Sequence, residues 1–450
     1  MSVPHERPLG RAATPVPLFR WVESSLDEAE YLWRCWERDL ATHDRDLAGL
    51  SRWVEGRLLG SLEGLRLGVE SALDTLLRPA LDANDPFRAT AAAYALATET
   101  SAAGYDALME ALRGAPPERL VGLRRAVELA HSELLVFRLE RDLEPLSSPI
   151  AAALIDAHVF QQRAPNALLA QALVSSDPML RAAGLRALRF EKGQVGGELA
   201  NALASSDLEV SDAAMESGLW RGDAEAWAYC LHSSIQPIPR PRSRLLLALL
   251  GSEQRQMPLV DALALESTRR EALFALGFAG TRQAAEASLF AMNQPELAPL
   301  AAEAFCAITG LDLEQHGFTL PVRAAPVEPI PFEEEDLDGH LVPQPDELLP
   351  MPDVARVAKW WRQHEREFSS GPRYLRGRTL TLERLQDALH TEPMRRRHAI
   401  ALELAVRTRG ACNVQTRTFT LEQRRQLACL GEVRAGVAAS PLVNVFSRVA

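Results

Sequence analysis

Hydrophobic residues recur along the middle of the chain in a pattern that repeats about every 30 residues. The two clearest copies begin at Ser175-Ser176-Asp177-Pro178 and at Ser205-Ser206-Asp207-Leu208. Further copies in the same phase begin near Pro86, Pro117, Pro149, Gln236, Glu266 and Gln294. Self-similarity at a fixed period of this size is typical of repeat architectures, and here it indicates about eight units between residues 70 and 310.

Each unit has the pattern of two short helices. The second helix begins with an Asp or Ser N-cap, often followed by proline at the first helical position. Its apolar residues then recur at three and four positions, as in Leu180, Ala183 and Leu188. The first helix is the apolar run before the cap, for example residues 167–174 or 284–292. Such a pair cannot bury its own apolar face, so the sequence predicts an all-α fold with a stacked α-solenoid.

The flanks of the repeats differ from them in composition. Residues 1–69 are predicted to form an N-terminal helical cap, and residues 70–317 form the solenoid. Residues 318–352 are predicted to be an acidic, proline-rich linker, because residues 321–352 hold eight prolines and eight acidic residues. Residues 353–450 are predicted to form a basic helical domain with helices at 354–368, 382–390, 393–409 and 421–430.

The charge is divided unevenly along the chain. Its formal total is −11, but residues 353–450 contain 18 basic and nine acidic residues, so residues 1–352 carry −20. An acidic total argues against a dedicated nucleic-acid-binding protein. No apolar stretch approaches the length of a membrane span, and the first residues lack the apolar core of a signal peptide. The five scattered cysteines fit a reducing compartment, so we expect a cytoplasmic protein.

Two aromatic clusters are candidate binding sites. In the N-terminal cluster, Trp33, Trp36 and Arg38 either cap the end of the solenoid, which is the favoured interpretation, or contact a protein partner, since Trp and Arg are enriched at interface hot spots. The pair Trp360-Trp361 is likewise either structural or a contact with a protein partner, because one member of an adjacent pair must point away from the core.

Charged runs are the remaining candidates. The run Glu333, Glu334, Glu335 and Asp336 is either a solvated tether or a phosphate mimic that binds a basic toxin. The run 395–397, three consecutive arginines, is expected to dock on the acidic body rather than to bind nucleic acid, because no aromatic stacking platform accompanies it.

The sequence contains none of the common phosphate-binding, zinc-binding or catalytic motifs. Residues 193–197 lack the Lys-Ser/Thr that completes a phosphate-binding loop, and neither a zinc-protease motif nor a close Cys/His cluster occurs. The segment 43–46 (His-Asp-Arg-Asp) is expected to be a helix end rather than a small charged site. We therefore expect no catalytic residue, cofactor or metal.

Two segments outside the repeats carry a family resemblance. They are residues 31–66, which open with Tyr-Leu-Trp-Arg-Cys-Trp-Glu-Arg, and residues 371–405, which open with Gly-Pro-Arg-Tyr-Leu-Arg-Gly-Arg. Together with the HEAT-like repeats they resemble an uncharacterised proteobacterial family whose members tend to occur near type VI secretion genes. The resemblance implies a curved superhelix that holds another macromolecule.

Three functions remain open on this basis. The leading expectation is a non-enzymatic immunity protein that binds and neutralises a nuclease-type toxin, with an acidic surface that speeds association with the basic toxin. The second is an adaptor or chaperone that loads an effector onto the secretion machinery. The third is a HEAT-like enzyme with an unrecognised site.

Overall fold

The computed structural model of the chain describes residues 16–132, 135, 138–139, 146–191, 193, 196–321 and 345–437. These residues fall into two compact units. Unit 1 holds the described parts of residues 1–36 and 53–157, and unit 2 holds those of residues 37–52 and 158–450. The units therefore cross the boundaries of the four segments expected from composition.

Unit 1 consists of helices. The first, α1 (Val16–Asp39), begins in unit 1 and ends in unit 2. The helices that follow are α2 (Leu47–Leu50), a π-helical turn (Ser51–Glu55), α3 (Gly56–Ala72), a second π-helical turn (Leu73–Leu77), α4 (Arg78–Leu81), α5 (Pro86–Thr98), α6 (Ala102–Gly114), α7 (Pro117–Leu129) and α8 (Ser148–Phe160). Helix α2 lies in unit 2, and α8 ends there.

Unit 2 continues the helical repeat and ends in a helical lobe. Its solenoid helices are α9 (Asn166–Leu173), α10 (Pro178–Ala187), α11 (Gly196–Leu203), α12 (Leu208–Arg221), α13 (Ala224–Ser234), α14 (Pro241–Leu250), α15 (Glu253–Asp261), α16 (Glu266–Ala279), α17 (Arg282–Ala291) and α18 (Ala298–Thr309). The lobe contains α19 (Val354–His364), β1 (Tyr374–Leu375), β2 (Arg378–Thr379), α20 (Leu382–Thr391), α21 (Met394–Arg407) and α22 (Thr420–Val437). Short 3₁₀ turns occupy Leu188–Phe190, Ala262–Ala264 and Glu365–Glu367.

The sequence repeat produces a repeated local structure. The carboxylate of Asp177 accepts hydrogen bonds from the second and third amides of α10, and that of Asp207 does the same for α12. Ser175 and Ser205 each accept a hydrogen bond from the amide of the Asp two residues later. These bonds satisfy amides that have no partner inside the helix, so they set where α10 and α12 begin.

Helices pack on their neighbours and on the next helix but one. In unit 1, α5 packs on α6 and α7, and in unit 2 α16 packs on α14, α17 and α18. This arrangement confirms the predicted all-α, solenoid-like fold. The four C-terminal helices are also confirmed, each within a few residues of its predicted ends apart from the longer α22. Among the described residues, none of the helices combines the length and apolar character that crossing a membrane requires.

Close packing of α1 on α3 depends on glycine. A Cβ atom on Gly68 would lie 2.4 Å from Cγ2 of Val22, whereas a Cβ on Gly60, two turns earlier in α3, would have no neighbour within 4 Å. Val22 is β-branched, so its side chain has little freedom to move aside. The small residue at position 68 is therefore required by the helix–helix distance.

Alanine substitutions at Gly68 and Gly60 are predicted to change the free energy of unfolding in opposite directions. Gly68→Ala is expected to lower the free energy of unfolding by about 1–3 kcal/mol, because the added methyl group overpacks the α1–α3 contact. Gly60→Ala is the matched control and should raise the free energy of unfolding by about 0.5–1 kcal/mol, since alanine favours the helix. Urea unfolding of both variants measures the difference. Equal changes in the free energy of unfolding at the two positions would contradict the close approach of α1 and α3 at Gly68.

A short hairpin covers the C-terminal ends of two solenoid helices. Strands β1 and β2 pair antiparallel, and the amide of Tyr374 donates to the carbonyl of Gly280, just after α16. The amides of Arg376 and Gly377 donate to carbonyls in the last turn of α18. Gly280 has a φ of +72°, and a Cβ on it would lie 2.7 Å from the carbonyl oxygen of Tyr374. Glycine at this helix end thus both terminates α16 and admits the hairpin. The sequence pattern did not predict this hairpin.

Residues 37–52 belong to unit 2 because they bind the N-terminus of α21. The carbonyls of Thr42 and Arg45 accept hydrogen bonds from the amides of Arg395 and Met394. His398, one turn further along α21, contacts the carbonyl of Leu40 at 3.1 Å. These bonds satisfy amides at the start of the helix, so the segment 43–46 acts as part of a helix end.

Candidate protein-interaction surfaces

Trp33 and Trp36, both predicted as candidate partner contacts, lie in the core of unit 1. Each side chain is 0% exposed. The ring of Trp33 packs edge-on against Trp36 and against Tyr94, with centroids 6.4 and 5.8 Å apart. Burial raises the pKa of Tyr94 to about 12. Both tryptophans face inward because they continue the helical spacing of the buried residues Val22 and Leu26, which corrects the hypothesis that they form a binding surface.

Trp36 also carries a buried polar contact. Its Nε1 donates to Oε2 of Glu55 at 3.0 Å, and Glu55 is only 2% exposed. The guanidinium of Arg125 lies over the Trp36 ring, 5.4 Å from its centroid. An indole that is buried usually finds such a partner for its N–H. The tryptophan is therefore fixed by both apolar and polar contacts.

Other aromatic residues of the same N-terminal cluster are on the surface. Trp21 is 50% exposed, Tyr31 62% and Trp53 63%. We refer to Trp21, Tyr31 and Trp53 as the aromatic face. Arg38, the remaining predicted residue of this cluster, is exposed in unit 2 and has no ion pair with any residue in the described ranges.

Contacts between α1 and α3 position the aromatic face. Glu28 on α1 accepts a hydrogen bond from Arg57 on α3 at 2.7 Å. Tyr31 lies one turn after Glu28, and Trp53 lies one turn before Arg57, so in this antiparallel pair both residues lie toward the same end. Trp21 lies toward the other end, beside the position where a Cβ on Gly64 would be. Large aromatic side chains are thus exposed along a surface that two packed helices hold in place.

The second aromatic pair, Trp360 and Trp361, is divided between core and surface. Trp361 is 4% exposed and packs against Phe305 with ring centroids 5.5 Å apart, so it is a core residue rather than a partner contact. Trp360 is partly buried; its ring contacts Phe305 at 6.2 Å and stacks on His364 at 4.2 Å. The indole of Trp360 is therefore already covered by two neighbours. The acidic candidates Glu333, Glu334, Glu335 and Asp336 lie outside the described residues.

The ends of the predicted linker lie together. Thr319 and Pro352 form an antiparallel bridge, and the amide of Asp353 donates to the carbonyl of Phe318 at 2.7 Å. Asp346 forms ion pairs with Arg270 on α16 and Arg395 on α21. The described ends of the segment are therefore attached to the solenoid helices and to the lobe.

The three consecutive arginines at 395–397 are buried, not displayed. Their side chains are at most 8% exposed. Arg395 forms an ion pair with Glu303 on α18 at 3.0 Å, and Arg397 donates to the carbonyl of Leu389 and to Gln423. Burial lowers the pKa of Arg397 to about 10, which still leaves it charged at neutral pH. This run therefore holds the lobe in place and offers no patch for nucleic acid.

Arg396 of this run and two further arginines bind the C-terminal ends of solenoid helices. Arg373 donates to the carbonyls of Leu249 at 2.7 Å, Phe278 at 2.8 Å and Ala279 at 3.0 Å. Arg407 donates to Leu249 at 2.7 Å, and Arg396 donates to Gly277 at 2.9 Å. We call Arg373, Arg396 and Arg407 the arginine clamp. The last carbonyls of a helix lack partners and carry a partial negative charge, so guanidinium groups are suited to this position.

Two buried glutamates carry the negative charge that pairs with the arginines of the clamp. Glu403 is 2% exposed and forms ion pairs with Arg373 at 2.6 Å and Arg407 at 2.7 Å. Glu392 pairs with Arg376 and Arg396. Although burial acts to raise it, the charges of these arginines hold the pKa of each glutamate below its usual value. A buried charge is tolerated only when it is paired in this way.

Acidic residues on the second helices of unit 2 are paired with arginines of neighbouring repeats. Glu216 on α12 pairs with Arg189 and with Arg242 on α14, and Glu271 on α16 pairs with Arg244. Burial opposes ionisation of Glu216, but the charges of Arg242 and Arg189 lower its pKa to about 2. The negative charge of the body is thus neutralised at these positions and does not form an open acidic surface there.

This pairing predicts a pH-dependent difference in stability. The depressed pKa of Glu216 contributes stability above the unfolded value of about 4.3, and that contribution is lost as pH falls toward 2. Glu216→Gln should therefore be less stable than the wild type at neutral pH, and the gap should narrow on acidification. Urea unfolding at several pH values between about 7 and 3 measures the gap. A gap that stays constant with pH would contradict the charge pairing.

Metal-binding side chains do not cluster in the described ranges. No group of three or more His, Cys, Asp or Glu side chains there has the geometry to hold a metal ion. No known family model matches the chain, and no curated protein sequence is similar to it.

Proposed function

We propose that this protein is a non-enzymatic, cytoplasmic protein-binding scaffold, and that its partner is a toxin effector of a type VI secretion system, for which it acts as the immunity protein. The secretion context rests on the resemblance of residues 31–66 and 371–405 to a family found near such genes. The choice of protein binding rests on the aromatic face.

Two properties of the aromatic face favour this proposal: the residue types that compose it and the packed helices that hold them in place. Tyr and Trp supply a large contact area and lose little conformational entropy on binding, which makes them frequent interface hot spots. Trp21, Tyr31 and Trp53 are at least half exposed, on helices fixed by Glu28–Arg57 and by the glycines of α3. A partner could therefore bury these rings without reorganising the helices beneath them.

The partner can be sought among the products of neighbouring genes. The full chain is purified with each neighbouring product, and binding is measured by calorimetry. Immunity predicts a stable complex, loss of toxin activity in it, and self-poisoning of cells that lack the protein. An adaptor would instead show loss of effector secretion without poisoning. Absence of any complex would refute both roles.

Substitutions on the aromatic face localise the interface. Tyr31→Ala combined with Trp53→Ala should weaken the complex at least about 30-fold, since truncating a hot spot costs about 2 kcal/mol or more. Val121→Ala on α7 is the control, because Val121 is an exposed apolar residue of the same unit, 58% exposed. Unchanged affinity in the double variant would exclude the aromatic face as the interface.

A further inference from the structure

We propose that the exposed face of α19 is a second docking surface, separate from the aromatic face, and that it binds an acidic polypeptide segment of a partner protein. The surface consists of Arg356, Lys359, Arg362 and Arg366, and we call it the basic face. The proposal does not depend on the immunity role.

The basic face is one side of an amphipathic helix. Val357 and Trp361 lie on the buried side, where Trp361 packs against Phe305. Arg356, Lys359 and Arg362 follow at spacings of three, so they lie on the opposite side of α19, and Arg366 lies in the 3₁₀ turn that follows the helix; all four are exposed. Because the buried side is anchored, the cations are held in a fixed row about 15 Å long.

Most of the cations in this row have no countercharge among the residues that the structure describes. Lys359, Arg362 and Arg366 form no ion pair with any residue in the described ranges, and Arg356 pairs with Asp353 at 3.3 Å while remaining 60% exposed. Glu367 is the exposed acidic residue at the C-terminal end of the row. The residues of the arginine clamp, in contrast, all donate hydrogen bonds to helix carbonyls and form ion pairs with glutamates. The basic residues of the lobe thus divide into those that hold it in place and those that remain available.

Charge complementarity identifies the chemistry of the occupant. A row of cations spaced about one helical turn apart matches carboxylates at the same interval, either on a helix or along an extended acidic run. The complementary surface is acidic, although the net charge of the whole chain favours a basic partner. Ion pairing does not change that total, but it places arginines beside Glu216 and Glu271, so these carboxylates are not open to a basic partner.

An acidic protein segment fits the face better than a nucleic acid does. Single strands are usually held by open aromatic rings in addition to cations. The ring available on α19 is that of Trp360, which Phe305 and His364 already cover. Three unpaired cations also provide few phosphate contacts, and binding strength to nucleic acid rises with their number.

The test uses the full chain and a labelled poly-L-glutamate peptide, with binding followed by fluorescence anisotropy at low salt. Lys359→Glu, Arg362→Glu and Arg366→Glu combined should weaken binding about tenfold or more, and added salt should weaken wild-type binding. The control reverses Arg113, Arg163 and Arg424, which have no ion pair in the described ranges, so that the change in net charge is identical. Equal losses in the two triple variants would overturn the proposal.

Two alternative occupants are further outcomes of the same experiment. Tighter binding of a single-stranded oligonucleotide through the same three residues would overturn the proposal in favour of nucleic acid. Neutralising the chain's own acidic run, with Glu333→Gln, Glu334→Gln, Glu335→Gln and Asp336→Asn, should leave peptide affinity nearly unchanged. A rise of about tenfold or more would show that this run occupies the face instead. None of these results bears on the complex formed by the aromatic face.

Discussion

Glu403→Ala is expected to lower the free energy of unfolding by about 3–5 kcal/mol, because it removes the single carboxylate that pairs with both Arg373 and Arg407. Both guanidinium groups are largely buried, with side chains 11% and 6% exposed. Water therefore cannot readily replace the carboxylate that pairs with them, and two buried positive charges would be left unpaired. Glu403→Gln should lose most of the same stability, since it keeps the shape but removes the charge.

The control for Glu403 is a surface ion pair. Glu63, 54% exposed, pairs with Arg66 one turn away, and Glu63→Ala should change the free energy of unfolding by about 0.5 kcal/mol or less. Urea unfolding measures both variants. A loss of less than about 1 kcal/mol for Glu403→Ala would show that the clamp does not need its buried carboxylate.

Hydrogen exchange shows where the effect of Glu403→Ala is located. The amides of Tyr374, Arg376 and Gly377 donate to carbonyls at the ends of α16 and α18. Weakening the clamp should speed exchange at these three amides, because the lobe opens from the solenoid helices more often. Their exchange in Glu63→Ala should match that of the wild type.

Trp33→Ala is expected to lower the free energy of unfolding by about 3–5 kcal/mol, as removal of a fully buried aromatic side chain usually does. The loss combines the transfer free energy of the indole with the cavity left beside Trp36 and Tyr94. Tyr31→Ala, two residues earlier in α1, is the matched control. Tyr31 is 62% exposed, so its removal should change the free energy of unfolding by about 0.5 kcal/mol or less.

These two variants also separate core from interface. Trp33→Ala should reduce thermal stability and affect partner binding only through unfolding, whereas Tyr31→Ala should reduce binding without a change in Tm. A Trp33→Ala variant that keeps its stability but loses its partner would contradict the assignment of Trp33 to the core. Thermal unfolding and calorimetric binding on the same samples provide both measurements.

The N-terminal aromatic cluster shows how far the candidate site was predictable. Trp33 and Trp36 continue the helical spacing of Val22, Leu26 and Ala29, so the pattern alone assigns them to the buried side of α1. Trp21 and Tyr31 fall outside that spacing, and the same reasoning places them on the surface. Composition drew attention to the cluster, but helical phase was the signal that distinguished its members. The spacing of Lys359, Arg362 and Arg366 against Val357 and Trp361 carried the same information for α19.

Other features left no readable signal in the sequence. Arg373 and Leu249 are more than a hundred positions apart, as are Arg396 and Gly277. Local sequence does not show that Arg373 and Arg396 bind helix carbonyls, because those carbonyls belong to distant segments. Glycines 222, 280 and 310 follow second helices of the repeat and have positive φ values, so the sequence indicated these helix ends. It did not indicate the hairpin and the clamp that cover two of these ends.

The sequence by itself determined that the protein is built from paired helices, and it located the start of most second helices. It could do so because helix spacing and Asp caps depend on residues within about one turn of each other. Only the tertiary structure decided which acidic residues are neutralised and which arginines bind helix ends. Those outcomes depend on contacts between distant parts of the chain, where burial and charge pairing override local composition.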